Sequence, residues 1–207
     1  MLAALTGLGL STAAGLNAYI PLLVVGVLSN FTDTVQLPDG YGWLSNWGVL
    51  AIIAVLLAAE VVLDKVPAVD SVNDAIQTVV RPASGGVVFS ATNAAAELEQ
   101  SSWMTEHPWV GWLLGIGVAL AVHAMKAAAR PLVNVGTAGA GAPVVSTVED
   151  AGSLGMSLIA IFLPVLVIVA LVLLAVLSWW LLRRVRRFRA RRRAARSRPP
   201  GWSQPSG

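Results

Sequence analysis

The chain has 207 residues, 56% of them hydrophobic and 12% charged, with a mean hydropathy of +0.72, outside the range of ordinary soluble domains. Ten of its fourteen cations are Arg crowded between Arg183 and Arg198, so residues 1–182 carry four cations against eleven carboxylates and the basic balance belongs to the tail. With no cysteine, disulfides and thiolate metal sites are excluded.

Leu2–Leu28 is apolar for longer than the roughly 20 residues a helix needs to cross a hydrocarbon core. It lacks the positive n-region of a secretory signal, so it reads as a retained helix running outward from the cytoplasm. Asn17 and Pro21 lie one turn apart in it, and Pro21 offers no N–H to the Asn17 carbonyl. That carbonyl is either part of a plain kink or free to coordinate an ion, as in broken transporter helices. The loop Ser29–Asn46, with its Pro38-Asp39-Gly40 turn and neighbouring Trp43 and Trp47, is then external.

Leu44–Leu63 is a second span, apolar until Glu60. Glu60 and Asp64 are four apart and share a helical face. A carboxylate at that depth has two readings: it handles a proton or cation, or it is a fixed partner of Lys126, Arg130 or His123. Pro67 is expected to end this helix and Asp70 to cap a short following one. On that segment Asp70, Asp74, Thr78 and Arg81 form a polar stripe opposite Val72, Ile76, Val79 and Val80, the pattern of an interfacial helix. Pro82–Ala96, rich in Gly, Ser and Ala, is expected to dip into the membrane and return. A full crossing there would move the N-terminus outside.

Trp109–Ala129 is the third span and carries His123, Lys126 and Arg130 at i, i+3 and i+7, one face suited to a relay or to an anionic group. From Asn134 to Gly155 the chain is Gly-rich and contains Pro143, so no continuous lipid-facing helix is expected. Gly136–Gly141 lacks the Lys-Ser/Thr of a phosphate loop. Glu149 and Asp150 either complement the N-terminal dipole of the last helix or form a cation site with Asn134 or Ser146. Leu154–Leu182 is the last span; its 29 residues reach about 43 Å as a helix and must tilt or project. Trp179 and Trp180 mark the headgroup layer, and the Arg run holds the C-terminus in the cytoplasm against anionic lipid headgroups. No nucleic-acid partner is expected, because no folded module surrounds that run.

In this topology Lys65 and Arg81 fall towards the cytoplasmic face and Lys126 and Arg130 towards the other. Two proline-interrupted segments, Ala18–Val25 and Ile161–Ile168, then run in opposite directions, the arrangement of an inverted repeat.

Five strings occur in order: Gly15-Leu-Asn-Ala-Tyr-Ile-Pro-Leu22, Glu60 through Val69-Asp70, Thr78-Val-Val-Arg81-Pro82, His123-Ala-Met-Lys126 and Val144-Val-Ser-Thr-Val-Glu149-Asp150. Together they resemble a bacterial integral-membrane family of unassigned function over roughly residues 5–170, leaving out the Arg tail. The resemblance implies that the charged segments belong to a family pattern and brings no activity with it.

The expected fold is an all-α membrane protein of about four transmembrane helices plus re-entrant or interfacial half-helices. Residues 1–182 form the membrane domain and 183–207 an Arg-rich tail, disordered beyond the helix end. The expected location is the inner (plasma) membrane, and a homodimer is expected because four spans enclose little cavity. The leading function is a small transporter or channel-like permease. Its candidate ligand residues are Asn17, Glu60, Asp64, Asp70, Asp74, Arg81, His123, Lys126, Arg130, Glu149 and Asp150. The alternatives are a non-transporting scaffold with a structural charge network and a protein handling phosphorylated lipids. No enzyme activity, cofactor or metal is expected: HExxH and a nucleophile elbow are missing, and the two His are far apart in sequence.

Overall fold

The computed structural model describes residues 2–64, 67–92, 107, 109–137 and 141–196. Among the described residues it is all-helical, with seven α-helices and no strand: α1 Leu2–Leu16, α2 Tyr19–Phe31, α3 Trp47–Leu63, α4 Pro67–Ser90, α5 Trp109–Thr137, α6 Ala142–Phe162 and α7 Val165–Arg196. Within α5 and α6, Trp109–Ala129 and Pro143–Phe162 are long and apolar enough to cross a membrane.

The boundaries follow local chemistry. Asn46 caps α3, its side-chain oxygen accepting from Gly48 N (2.9 Å) and Val49 N (3.3 Å). Asn17 does the same for α2, accepting from Tyr19 N (3.0 Å) and Ile20 N (3.2 Å). Pro164 cannot donate to the preceding turn and disfavours helical geometry at Leu163, so α6 stops at Phe162.

The expected single helix Leu2–Leu28 is therefore two helices, and they fold back on each other. Leu2 and Thr6 of α1 line the same cavity, of about 210 Å³, as Thr34 to Gln36, which follow α2. The hairpin tip, Leu16-Asn17-Ala18, lies midway along the neighbouring helices. α1 is the axial element, with Gly7 and every residue from Gly9 to Gly15 buried among α4, α5 and α6. Its small residues permit this: a Cβ on Gly9 would lie 2.6 Å from that of Ala160, and one on Gly15 2.6 Å from that of Val122.

Contacts along the chain fix the helix directions. Ser11 Oγ donates to Gly85 O (3.1 Å) and Gly15 O faces Arg81, so α4 runs antiparallel to α1. α5 reverses again, placing Gly115 against Gly85 and His123 beside Thr78 and Arg81. α6 returns, with Ser153 bonded to Ala13 O (2.9 Å) and Ala160 against Gly9. α7 folds back from Pro164 onto α1, α5 and α6. α3 lies beside α2, with Trp47 edge-on to Phe31 at 5.8 Å.

Further expectations are corrected here. Pro67 opens α4 instead of only closing α3; a first-turn Pro loses no intrahelical hydrogen bond. Asp70 thus lies within a helix and not ahead of one, and residues 82–90 of the expected re-entrant dip are the C-terminal part of the continuous 24-residue α4. The part of that expected dip at 93–96 lies outside the described residues, as does the tail from 197 onward. The Gly-rich stretch becomes α6 from Ala142 through Gly152 and Gly155, so Glu149 and Asp150 sit in mid-helix, not at the start of the last one. The expected span Leu154–Leu182 is cut at Leu163.

Polarity is distributed inside out. Ile52, Val55, Val62, Leu113, Leu158, Val169, Leu173 and Val176 face outward, while Glu60, Asp64, Arg81, His123 and Lys126 are buried. A chain in water buries its large aliphatic side chains and exposes its charges.

Candidate functional site

Helix α1 ends in mid-protein, which leaves its last carbonyls without intrahelical donors and gathers negative dipole charge there. Two cations meet them, and a hydroxyl meets the carbonyl of Ala18, the residue before α2. Arg81 Nη1 reaches Gly15 O at 3.5 Å, Lys126 Nζ donates to Leu16 O at 3.1 Å, and Ser84 Oγ donates to Ala18 O at 2.5 Å. The Asn17 side chain holds the tip from the other side: its oxygen caps α2 and its Nδ2 donates to Asp150 Oδ1 at 2.9 Å.

Carboxylates from α3 and α6 surround the two cations. Arg81 Nη2 lies 2.8 Å from Glu60 Oε1 and 3.9 Å from Asp64 Oδ2. Lys126 Nζ lies 3.6 Å from Asp64 Oδ2 and 2.7 Å from Glu149 Oε2. Asp64 therefore bridges both cations, and its Oδ1 accepts from Asn73 Nδ2 at 2.6 Å. His123 stands between Thr78 Oγ1 (3.1 Å from Nε2) and Arg81 Nη1 (3.5 Å from Nδ1). A guanidinium can only donate, so Nδ1 is the acceptor and the ring proton belongs on Nε2, facing Thr78.

Arg81 has no solvent exposure, Glu60 has 2% and Asp64 3%, so the heart of the cluster is buried as well as charged. Three of its polar atoms are buried without a hydrogen-bond partner: Glu60 Oε2, Gln77 Oε1 and Arg81 Nε. Tyr19, the first residue of α2, stands close to Glu60, Gln77 and Arg81. Ser146, one turn before Glu149 and Asp150 on α6, also carries a buried hydroxyl without a partner.

The two expected clusters are thus one. A re-entrant Pro82–Ala96 would set them apart; with α4 one continuous helix to Ser90 and α5 antiparallel to it, His123 and Lys126 come to the level of Arg81 and Glu60. Among the described side chains Glu60 has Arg81 as its ion-pair partner, not Lys126 or His123. Asn17 acts through its side chain, and the carbonyls at the break bind the protein's own cations. Asp70 and Asp74 lie in the first two turns of α4, and Arg130 lies on α5; their side chains are outside the described residues, as is that of Asn134. Arg183 and Arg184 stack over Trp179 and Trp180, with centroid distances of 4.2 and 5.2 Å, near the far end of the bundle from Trp47.

Sequence reasoning missed Asn73, Gln77 and Ser84. With Arg81 they recur at spacings of four, four and three, a buried polar stripe beside the Asp70–Asp74–Thr78 stripe expected of an interfacial helix. Ile76 and Val79, on the expected apolar side of α4, are exposed; of the expected polar stripe Arg81 is buried and Thr78 is exposed.

The chain belongs to the family described as Domain of unknown function (DUF4126), whose model matches residues 4–184 and so ends where the Arg run begins. No curated protein and no solved structure matches it.

Proposed function

For this member of a family without assigned function, we infer a small integral-membrane permease whose coupling ion is handled by the buried carboxylates at the tip of the α1–α2 hairpin. The single observation that carries the reading is that tip: a half-depth helix whose terminal carbonyls end among buried Arg, Lys, Glu and Asp. Discontinuous helices meeting charged groups at mid-depth are how many secondary transporters build their sites. The membrane setting is supported by the two long apolar helices, the outward-facing aliphatic side chains and the buried charges. In that setting α3 to α7 make five passes where four were expected, and α1–α2 enters half-way from the face opposite the Arg tail. Positive residues are retained inside, so the tail is cytoplasmic and the N-terminus external. α1–α2 and the broken pair α6–α7, each with a Pro near its break, are the two halves of the proposed inverted repeat.

A second reading, a non-transporting scaffold, is favoured by the extent of pairing: Lys126 is shared among Asp64, Glu149 and Leu16 O. The same engagement argues against an anionic substrate or lipid phosphate at that face.

Reconstitution in liposomes separates the readings. The permease dissipates an imposed pH or cation gradient, Glu60→Gln abolishes the flux, and Asp39→Asn in the exposed loop leaves it intact. A wild-type protein that is folded and passes neither protons nor cations is a scaffold.

A further inference from the structure

The Glu60–Arg81 pair is made with one prong. Carboxylate and guanidinium commonly meet as a two-pronged fork, yet here only Oε1 and Nη2 meet, and Oε2 and Nε are left buried without partners. Unsatisfied polar atoms at such depth are rare in native proteins and require an explanation. Gln77 Oε1, one turn before Arg81 on the same face of α4, is a third. The site therefore holds two unpartnered acceptor oxygens, with the Tyr19 side chain close to both residues.

We propose that Glu60 Oε2 is a reversible proton-binding site, with Gln77 Oε1 as the acceptor of the resulting O–H, so that the coupling ion is H⁺ and not a metal cation. A proton from the aqueous phase adds to Oε2 and leaves to it again; no other covalent bond changes. The proposal rests on the permease reading only for the word coupling, since the proton site stands without transport.

The neighbours decide between a proton and a metal ion. The titratable and charged groups facing Glu60 are Tyr19 from α2, Asp64 from its own helix, Arg81 from α4 and Lys126 from α5, with His123 behind Arg81. A metal ion would be held beside a guanidinium with an unpaired N–H, and hard cations such as Ca²⁺ take six to eight oxygens. No group of three or more His, Asp and Glu side chains suited to a metal occurs among the described residues. A proton needs one oxygen to bind and one to accept from it, and the two unpartnered oxygens, Glu60 Oε2 and Gln77 Oε1, are the ones assigned to those parts.

Proton uptake also has a structural consequence. It removes the counter-charge of Arg81 at Glu60, while Asp64 Oδ2 already lies 3.9 Å from Nη2. Arg81 then moves towards Asp64 and away from Gly15 O, loosening one of the two cationic clamps on the hairpin tip. Glu60 is the switch and Arg81 the positioning residue.

Infrared difference spectroscopy on the purified full chain across a pH jump tests this. The C=O stretch of a protonated carboxyl group should appear at the acidic side, vanish in Glu60→Gln and persist in Asp64→Asn. In Gln77→Met it should shift to higher frequency, because the acceptor of the O–H is gone. Gln77→Met also keeps the test informative should Glu60→Gln fail to fold. A missing band, a band retained in Glu60→Gln, or a band unmoved in Gln77→Met overturns the proposal. So does an identical difference spectrum produced by sodium at constant pH. Failure of liposome flux with the band present refutes the permease and leaves the proton site standing; flux without the band does the reverse.

Discussion

Replacing Lys126 by Met removes the ammonium and keeps the stem. In the wild type that ammonium, on a side chain 3% exposed, pairs with Glu149 (2.7 Å) and Asp64 (3.6 Å) and donates to Leu16 O (3.1 Å). If it behaved as a surface pair, its loss would cost about 0–1 kcal/mol. Here Asp64 is 3% and Glu149 13% exposed, and a helix C-terminal carbonyl loses its donor as well. Breaking a buried pair from one side costs about 3–5 kcal/mol. At about 2–4 °C per kcal/mol for a chain of this size, thermal unfolding in detergent should fall by about 6–20 °C. Lys126→Met with Glu149→Gln should be at least about 1 kcal/mol better than the sum of the single changes, because the second removes a charge the first leaves unpaired. A drop within about 2 °C, or strict additivity, would refute the buried-network account.

Asn17→Leu should destabilise by at least about 1–2 kcal/mol, since it deletes both the α2 cap and the Asp150 partner; Asn17→Asp, which keeps the cap but faces Asp150, should not rescue it. Gly115→Leu should lower the melting temperature through overpacking of about 1–3 kcal/mol or more, because any Cβ there meets the Gly85 carbonyl, whereas Gly117→Leu, facing open space, should melt like wild type. Arg81→Lys should destabilise despite keeping the charge: a single ammonium cannot reach Glu60, Gly15 O and His123 as the guanidinium does, so a wild-type melting temperature would count against that geometry.

The members of the site were legible because ionisable groups are conspicuous in so apolar a chain. Asn17, Glu60, Asp64, Arg81, His123, Lys126, Glu149 and Asp150 are all drawn into the network. Their pairing was not legible, because it depends on helix parity. One misjudged segment, Pro82–Ala96, reverses every helix after it, and Pro82 looks like a helix breaker although α4 accommodates it. The breaks at Asn17–Ala18 and Leu163 were marked by Pro21 and Pro164, but a Pro in an apolar run signals a kink and a hairpin alike. What distinguishes them is tertiary: Arg81, Lys126 and Ser84 arriving from other helices to satisfy the freed carbonyls. Asn73, Gln77 and Ser84 escaped notice because neutral polar side chains are less conspicuous than charges in an apolar sequence.

The permease reading stands on the half-depth hairpin, and cysteine accessibility tests that hairpin directly, since the chain has no cysteine of its own. Single Leu2→Cys, Asp39→Cys and Ser203→Cys variants would be treated in intact cells with a membrane-impermeant maleimide. A folded-back α1–α2 with a cytoplasmic Arg tail predicts that Leu2→Cys and Asp39→Cys are both labelled from outside and Ser203→Cys only after permeabilisation. Labelling at Asp39→Cys with Leu2→Cys reactive only after permeabilisation would make Leu2–Leu28 a single crossing and contradict the account.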